Sequence, residues 1–300
     1  MKHLRNLAFT FLLFTLAFSA FAQKPATKQI ETKTAVQSSV TTQDLKLNSK
    51  LLAREMPYRV ILPKNYAARK AERFAVLYLL HGLTGHFDDW AGKTKLQDYA
   101  ANYNYIIVTP EGNDGWYSDS ATAARDKYES YIMQELIPEI DTKFRTIADR
   151  PHRAIAGLSM GGYGSLKFGL KFPDKFILVG SFSGALGAAG WTDKTLGKGW
   201  KVLIDSIMNV YGAEDSQTRK ANDIFKMVRE ISPEKAKALP FVYLDCGTED
   251  GLIQQNRDFN ALLAEKKIPH EFRELPGKHD WVFWNSQVQE FLRVSGKFIK

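Results

Sequence analysis

Short apolar runs recur along this chain with helix-like segments between them, and few architectures can use that alternation. Residues 74–80 (FAVLYLL), 106–109, 154–158, 176–181 and 241–246 are near-continuous in apolar side chains. A strand with one solvated face alternates polar and apolar residues, whereas a run without alternation belongs to a strand covered on both faces. Residues 56–62 add a strand before them and residues 270–275 one after. The intervening stretches 95–102, 128–144, 162–172 and 253–267, and the last stretch 282–299, read as helices. Strands spaced by helices of this length predict an α/β fold, a mostly parallel central sheet with helices on both faces. In such sheets ligands bind beyond the carboxyl ends of the strands, so the loops after the apolar runs are where chemistry is expected.

The loop after residues 154–158 reads Gly157-Leu158-Ser159-Met160-Gly161, followed by Gly162. A serine on a strained strand-to-helix turn needs small neighbours, because the backbone passes close to other elements while the hydroxyl is lifted to the top of the sheet. The similar string 180–184 (GSFSG) has Phe182 at its centre and fails the pattern, so Ser181 and Ser183 are read as strand-end residues. A serine hydroxyl attacks only if a base takes its proton, and the base needs a carboxylate to fix its tautomer. On this kind of turn, acid and then histidine follow the serine in the chain. Beyond Ser159 lie only His270, which opens a strand, and His279, in the loop 276–281; His279 is the expected base. Asp250, in the loop after residues 241–246, is favoured as the acid over Asp245 inside the strand and over Glu249. The loop 81–85 (HGLTG) follows a buried strand where a second oxyanion donor is expected, so the backbone N–H groups of Leu83 and Met160 are assigned that role. His81 and His86 with Asp88 and Asp89 lack the spacing of a metal site and are read as shaping the loop. No metal and no cofactor is expected.

Composition narrows the rest. The chain has 300 residues and a formal net charge of +8, which raises the question of a polyanionic partner. The first 22 residues carry +2 and residues 23–50 a further +3, which leaves a nearly balanced body and no basic stripe interleaved with aromatics. Nucleic acid is not expected as a partner. Residues 1–22 combine a basic head, an apolar segment of about a dozen residues and an A-x-A site, the pattern of a signal peptide cleaved near Ala22. The expected mature protein is secreted or periplasmic, with no stable membrane insertion after cleavage. Residues 23–43 are rich in Thr, Lys, Gln and Ser and read as a flexible linker, leaving 44–300 as one catalytic domain. The single Cys246 ends an apolar run and reads as a packed strand residue, so the fold must hold without disulfides.

The strings YLLHGLTGHFDDW, VTPEGNDGWYSDS, YESYIMQELIPEID, AIAGLSMGGYGSLKFGLKFPDKF, CGTEDGLI and PGKHDW resemble an esterase family with the α/β-hydrolase fold. It groups S-formylglutathione hydrolases of the esterase D type, feruloyl and acetylxylan esterases, and mycolyltransferases. The resemblance runs from about residue 45 to the end. It implies Ser159, Asp250 and His279 as a catalytic triad, Leu83 and Met160 as oxyanion donors, and, taken with the export signal of residues 1–22, an exported serine carboxylesterase acting on small or carbohydrate-linked esters, of feruloyl or acetyl type. An export signal counts against the cytosolic S-formylglutathione hydrolases, and His81, where mycolyltransferases carry Asp, counts against transfer to a long-chain lipid. An acyltransferase or a thioesterase using the same residues, and a non-catalytic binding protein on the same fold, are the competing readings.

Specificity is less legible. Trp116 and Tyr117, in the loop after residues 106–109, are candidates for a substrate wall, the alternative for Trp116 being packing under the loop. Trp281 and Trp284 follow the expected base and either close the same cleft or pack in the core. Residues 186–235 form the longest interval between strands and read either as a mobile cap or as a rigid connection. Oligomeric state is left open.

Overall fold

The structure is a computed structural model and describes residues 40–196 and 198–299. The expected signal peptide and most of the expected linker lie outside the described residues. Eight strands form one sheet: β1 (Thr41–Ser49), β2 (Arg54–Leu62), β3 (Ala75–Leu80), β4 (Tyr105–Pro110), β5 (Arg153–Leu158), β6 (Leu178–Phe182), β7 (Phe241–Gly247) and β8 (His270–Leu275). Their spatial order is β1-β2-β4-β3-β5-β6-β7-β8. The pairs β1–β2 and β2–β4 are antiparallel; every pair from β4–β3 to β7–β8 is parallel. The strand order turns back on itself around β3 and β5, the place where an open α/β sheet leaves a crevice beyond its strand ends.

Period-two alternation explains the layering. In β3 the side chains of Val76, Tyr78 and Leu80 enter one apolar layer and Ala75, Leu77 and Leu79 the other, all buried. Four helices matter for the site: α1 (Met160–Lys171), α2 (Lys201–Tyr211), α3 (Ile253–Glu265) and α4 (Trp281–Phe298). Helices α1 and α3 cover the first layer, with Leu166, Phe168, Phe259 and Leu263 buried there; α4 covers the second through Val288, Phe291 and Leu292. Side chains from both layers are withdrawn from water through the central strands β3 to β7, at about 25 cal/mol per Å² of apolar surface buried. The core is therefore sufficient without a disulfide, and Cys246 is a buried free thiol whose pKa burial pushes up.

The expected strands and helices are present within one or two residues at most ends. One strand is missed: β1 begins at Thr41, so the expected linker 23–43 overlaps it. Its sequence TTQDLKLNS is polar because it is an edge strand paired on one side, with only Leu45 and Leu47 packed against the core. The interval 186–235 is a helical excursion between β6 and β7 that includes α2. Buried Arg219 ties it together, its guanidinium donating to the carbonyls of Ala189 (2.9 Å), Trp191 (3.0 Å) and Gly212 (3.0 Å).

Candidate active site

The tight turn between β5 and α1 is dictated by what surrounds it. Ser159 sits there with φ 52° and ψ −114°, a conformation that costs an L-residue energy and is held by its neighbours. Its N–H donates to the carbonyl of Phe182 (2.9 Å), and its own carbonyl accepts from Tyr163 and Ala185 (3.0 Å each). Any Cβ at Gly157 would lie 2.5 Å from the backbone of Gly161, and one at Gly161 would lie 2.5 Å from the carbonyl oxygen of Leu80. The glycines thus let β5, α1 and the end of β3 meet at one point, under the hydroxyl.

The Ser159 hydroxyl lies 3.0 Å from His279 Nε2, and His279 Nδ1 lies 2.8 Å from Asp250 Oδ2. A carboxylate only accepts, so Nδ1 carries the proton it donates to Asp250, and Nε2 is left to accept from the serine. His279 comes from the loop between β8 and α4, and Asp250 from the turn after β7. Asp250 is buried, and its second oxygen accepts from the Leu252 N–H (2.8 Å). Burial works to raise its carboxyl pKa, but the hydrogen bond and charge of His279, with the Leu252 N–H, outweigh it and hold the group below the usual carboxylate value. Asp245, the weaker candidate, is fully buried inside β7 and makes no hydrogen bond through its carboxyl oxygens; burial raises its pKa well above the usual value. His270 is also engaged elsewhere, its ring bonding the carbonyl of Ile268 (2.7 Å) and the side chain of Asn260 (3.0 Å).

Met160 opens α1, and its N–H is one of the first-turn donors that no helical carbonyl can reach. Leu83 is the first corner of a turn closed by Gly85 N–H donating to Gly82 O (3.1 Å), so the turn does not consume the Leu83 N–H. Asp114 fixes the next residue, accepting from the Thr84 N–H (2.7 Å). Among the described residues neither the Leu83 nor the Met160 N–H meets an acceptor. His81 donates from Nδ1 to Gly82 O (2.7 Å) and accepts the Gly112 N–H at Nε2 (2.8 Å), tying this loop to the one after β4. Among the described residues no three His, Cys, Asp or Glu side chains are grouped to hold a metal ion.

A cavity of about 820 Å³ opens over Ser159 and His279. Trp116, Trp281 and Trp284 line it, Trp284 edge-on to His279 with ring centroids 4.9 Å apart. Tyr117 does not line it. Its ring is buried in the layer below, and its hydroxyl donates to the carbonyl of His81 (3.1 Å), because consecutive left-handed residues at 116 and 117 turn the two side chains apart. Trp191, packed edge-on against Trp116 with ring centroids 6.2 Å apart, lines it too, with Leu196 and Leu203, all from the excursion after β6. Nothing in the sequence singles these out, since they reach the site only through the fold of that excursion.

The family model described as "Putative esterase" matches residues 49–293. The chain belongs to this esterase family. The esterase is 30 % identical over 251 residues to an acetyl esterase of Caldicellulosiruptor saccharolyticus, covering 80 % of this chain and 92 % of that one. It is 25 % identical over 273 residues to the S-formylglutathione hydrolase of Mus musculus, covering 82 % and 89 %. Among solved structures, a ferulic acid esterase superposes with a TM-score of 0.74 at 28 % identity, covering 87 % of this esterase and 99 % of that chain. The esterase has the α/β-hydrolase fold and is a carboxylic ester hydrolase.

Proposed function

We propose that this esterase cleaves small or carbohydrate-linked esters, of acetyl or feruloyl type, through an acyl-enzyme on Ser159. One observation carries the reading: the chain of hydrogen bonds from Ser159 through His279 to Asp250, 3.0 and 2.8 Å long. As Ser159 Oγ bonds to the ester carbonyl carbon, His279 Nε2 takes its proton, and Asp250 stabilises the resulting imidazolium. The oxyanion accepts hydrogen bonds from the Met160 and Leu83 N–H groups. The carbon–oxygen bond to the alcohol then breaks as His279 returns the proton to the leaving oxygen. Water repeats the sequence, releasing the carboxylic acid and restoring Ser159.

The substrate class is supported by the acetyl and ferulic acid esterase relatives and by the tryptophan-rich cavity, which is larger than an acetyl group needs and suits a phenolic or sugar ring. Export is part of the proposal, through residues 1–22. Sequencing the amino terminus of protein recovered from the exported fraction tests this, with Gln23 as the expected first residue; a start at Met1 overturns it.

Ser159→Ala is expected to lower kcat on p-nitrophenyl acetate by roughly 10⁴-fold or more. Fluorophosphonate labelling should vanish with it, and the far-UV circular dichroism should not change. A variant that still turns over overturns the assignment. Methyl ferulate and acetylated xylan, each run against the same variant, then decide the acyl group.

A further inference from the structure

The wall of the cavity is held by an unusual device. Trp116 and Tyr117 are consecutive non-glycine residues with φ 50° and 49°, both buried. Such conformations are sparsely populated by L-residues and persist only where the surroundings over-determine them. Against this segment lies Lys167, from the middle of α1, whose side chain is fully buried. Its ammonium donates to the Tyr117 carbonyl (2.6 Å), the Ser118 hydroxyl (2.6 Å) and Glu129 (2.9 Å), so its three N–H bonds have three acceptors. The Ser118 hydroxyl lies 2.9 Å from the carbonyl of Trp116. The Trp116 indole N–H donates to Ser206 Oγ on α2 (3.1 Å), leaving the ring along the cavity.

We propose that Lys167 is a positioning residue of the esterase: it holds the strained segment 116–118 so that the Trp116 ring stands as a wall of the ester cavity and limits the acyl group admitted. An apolar side chain of the same volume would fill the space at a lower desolvation cost, but it could not hold a carbonyl in a left-handed turn. Keeping the ammonium there is costly. Burial pulls the Lys167 pKa down to about 8, against the charge of Glu129, which works to raise it. Glu129 is shared with Lys171, 2.6 Å away, so removing Lys167 leaves no buried carboxylate unpaired.

The inference rests on Ser159 acting at this cavity, and the two fail separately: activity retained by Ser159→Ala defeats the site itself, whereas the following cycle addresses Lys167 alone. The readout is the ratio of kcat/KM for p-nitrophenyl hexanoate to that for p-nitrophenyl acetate, in wild type, Lys167→Met, Trp116→Ala and the double variant. Lys167→Met is expected to move the ratio toward hexanoate by about fivefold, and Trp116→Ala by at least as much. In the Trp116→Ala background, Lys167→Met should change the ratio by less than about 1.5-fold, since the wall it holds is gone. A general loss of stability would not produce that non-additivity. Equal factors in the two backgrounds, or no change of ratio in either single variant, overturn the proposal. Should Lys167→Met fail to fold, Ser118→Ala removes one acceptor and takes its place in the cycle. The expected shift is then about twofold, absent without Trp116.

Discussion

Asp245 and Asp250 lie close together at the end of β7, yet their carboxyls meet different surroundings. Asp250 faces His279 and a backbone N–H, which outweigh burial and hold its carboxyl pKa down; Asp245 points into the layer under α4 with no partner for either oxygen, and burial pushes its carboxyl pKa well above the usual value. Replacing Asp250 by Asn should lower kcat by about 10⁴-fold, because the amide can turn His279 to the wrong tautomer. The same change at Asp245 should leave kcat within about twofold, an isosteric swap of a carboxyl that bonds neither Ser159 nor His279. Its effect belongs to stability. With the native pKa above the unfolded one, the folded state keeps a proton that the unfolded state releases, so stability falls as pH rises from about 4, by at most about 1.4 kcal/mol per pH unit. Asp245→Asn removes that slope. Melting temperatures of the two proteins should therefore diverge in favour of the variant between pH 4 and pH 8, and parallel curves would show that Asp245 is ionised in the fold.

At the scale of elements, what the sequence carries is what is local. The elbow is legible because the glycines flanking Ser159 answer contacts made within one turn, and because strand, serine and helix are contiguous. Asp250 and His279 follow from their loops for the same reason. Tyr117 was not legible as a core residue: its direction is set by two left-handed residues, and those are imposed by Lys167, about fifty positions away in the chain. Trp191 and Leu203 were hidden because the excursion after β6 has no period that points to the cleft. The close approach at the elbow makes its own prediction. A methyl at Gly161 would press on the carbonyls of Leu80 and His81, at 2.5 and 2.6 Å, and the backbone there leads straight into the Leu83 turn. Gly161→Ala should cost about 1–3 kcal/mol, typical of overpacking. Activity should fall more than stability alone explains. A fully active, equally stable Gly161→Ala would mean that β3 and α1 are not packed as described.

Across the whole molecule, the site exists because one sheet brings the loops after β3, β4, β5, β6, β7 and β8 to the same edge, while no residue of β1 or β2 lines the cavity. The charge divides along similar lines: of the +8, only +3 lies in residues 51–300, so the basic balance belongs to the amino-terminal stretch and not to the catalytic body. β1 is the boundary between the two. Every residue of Thr41–Ser49 is paired with β2, Arg59 is held to Asp44 at 2.6 Å, and the Glu135 side chain accepts from the N–H groups of Lys50 (2.9 Å) and Leu51 (3.1 Å) just beyond. A polar strand so fixed is invisible to hydropathy but needed by the sheet, since without it the buried side chains of Met56, Tyr58 and Val60 flank an open edge. A chain starting at Ser38 should keep kcat/KM on p-nitrophenyl acetate within about twofold and melt within about 2 °C of the full-length protein. A chain starting at Lys50 should lose several kcal/mol, melting at least about 10 °C lower or aggregating through β2. Equal melting of the two truncations would place β1 outside the cooperative fold, and loss of activity in the longer one would give residues 1–37 a role in the site.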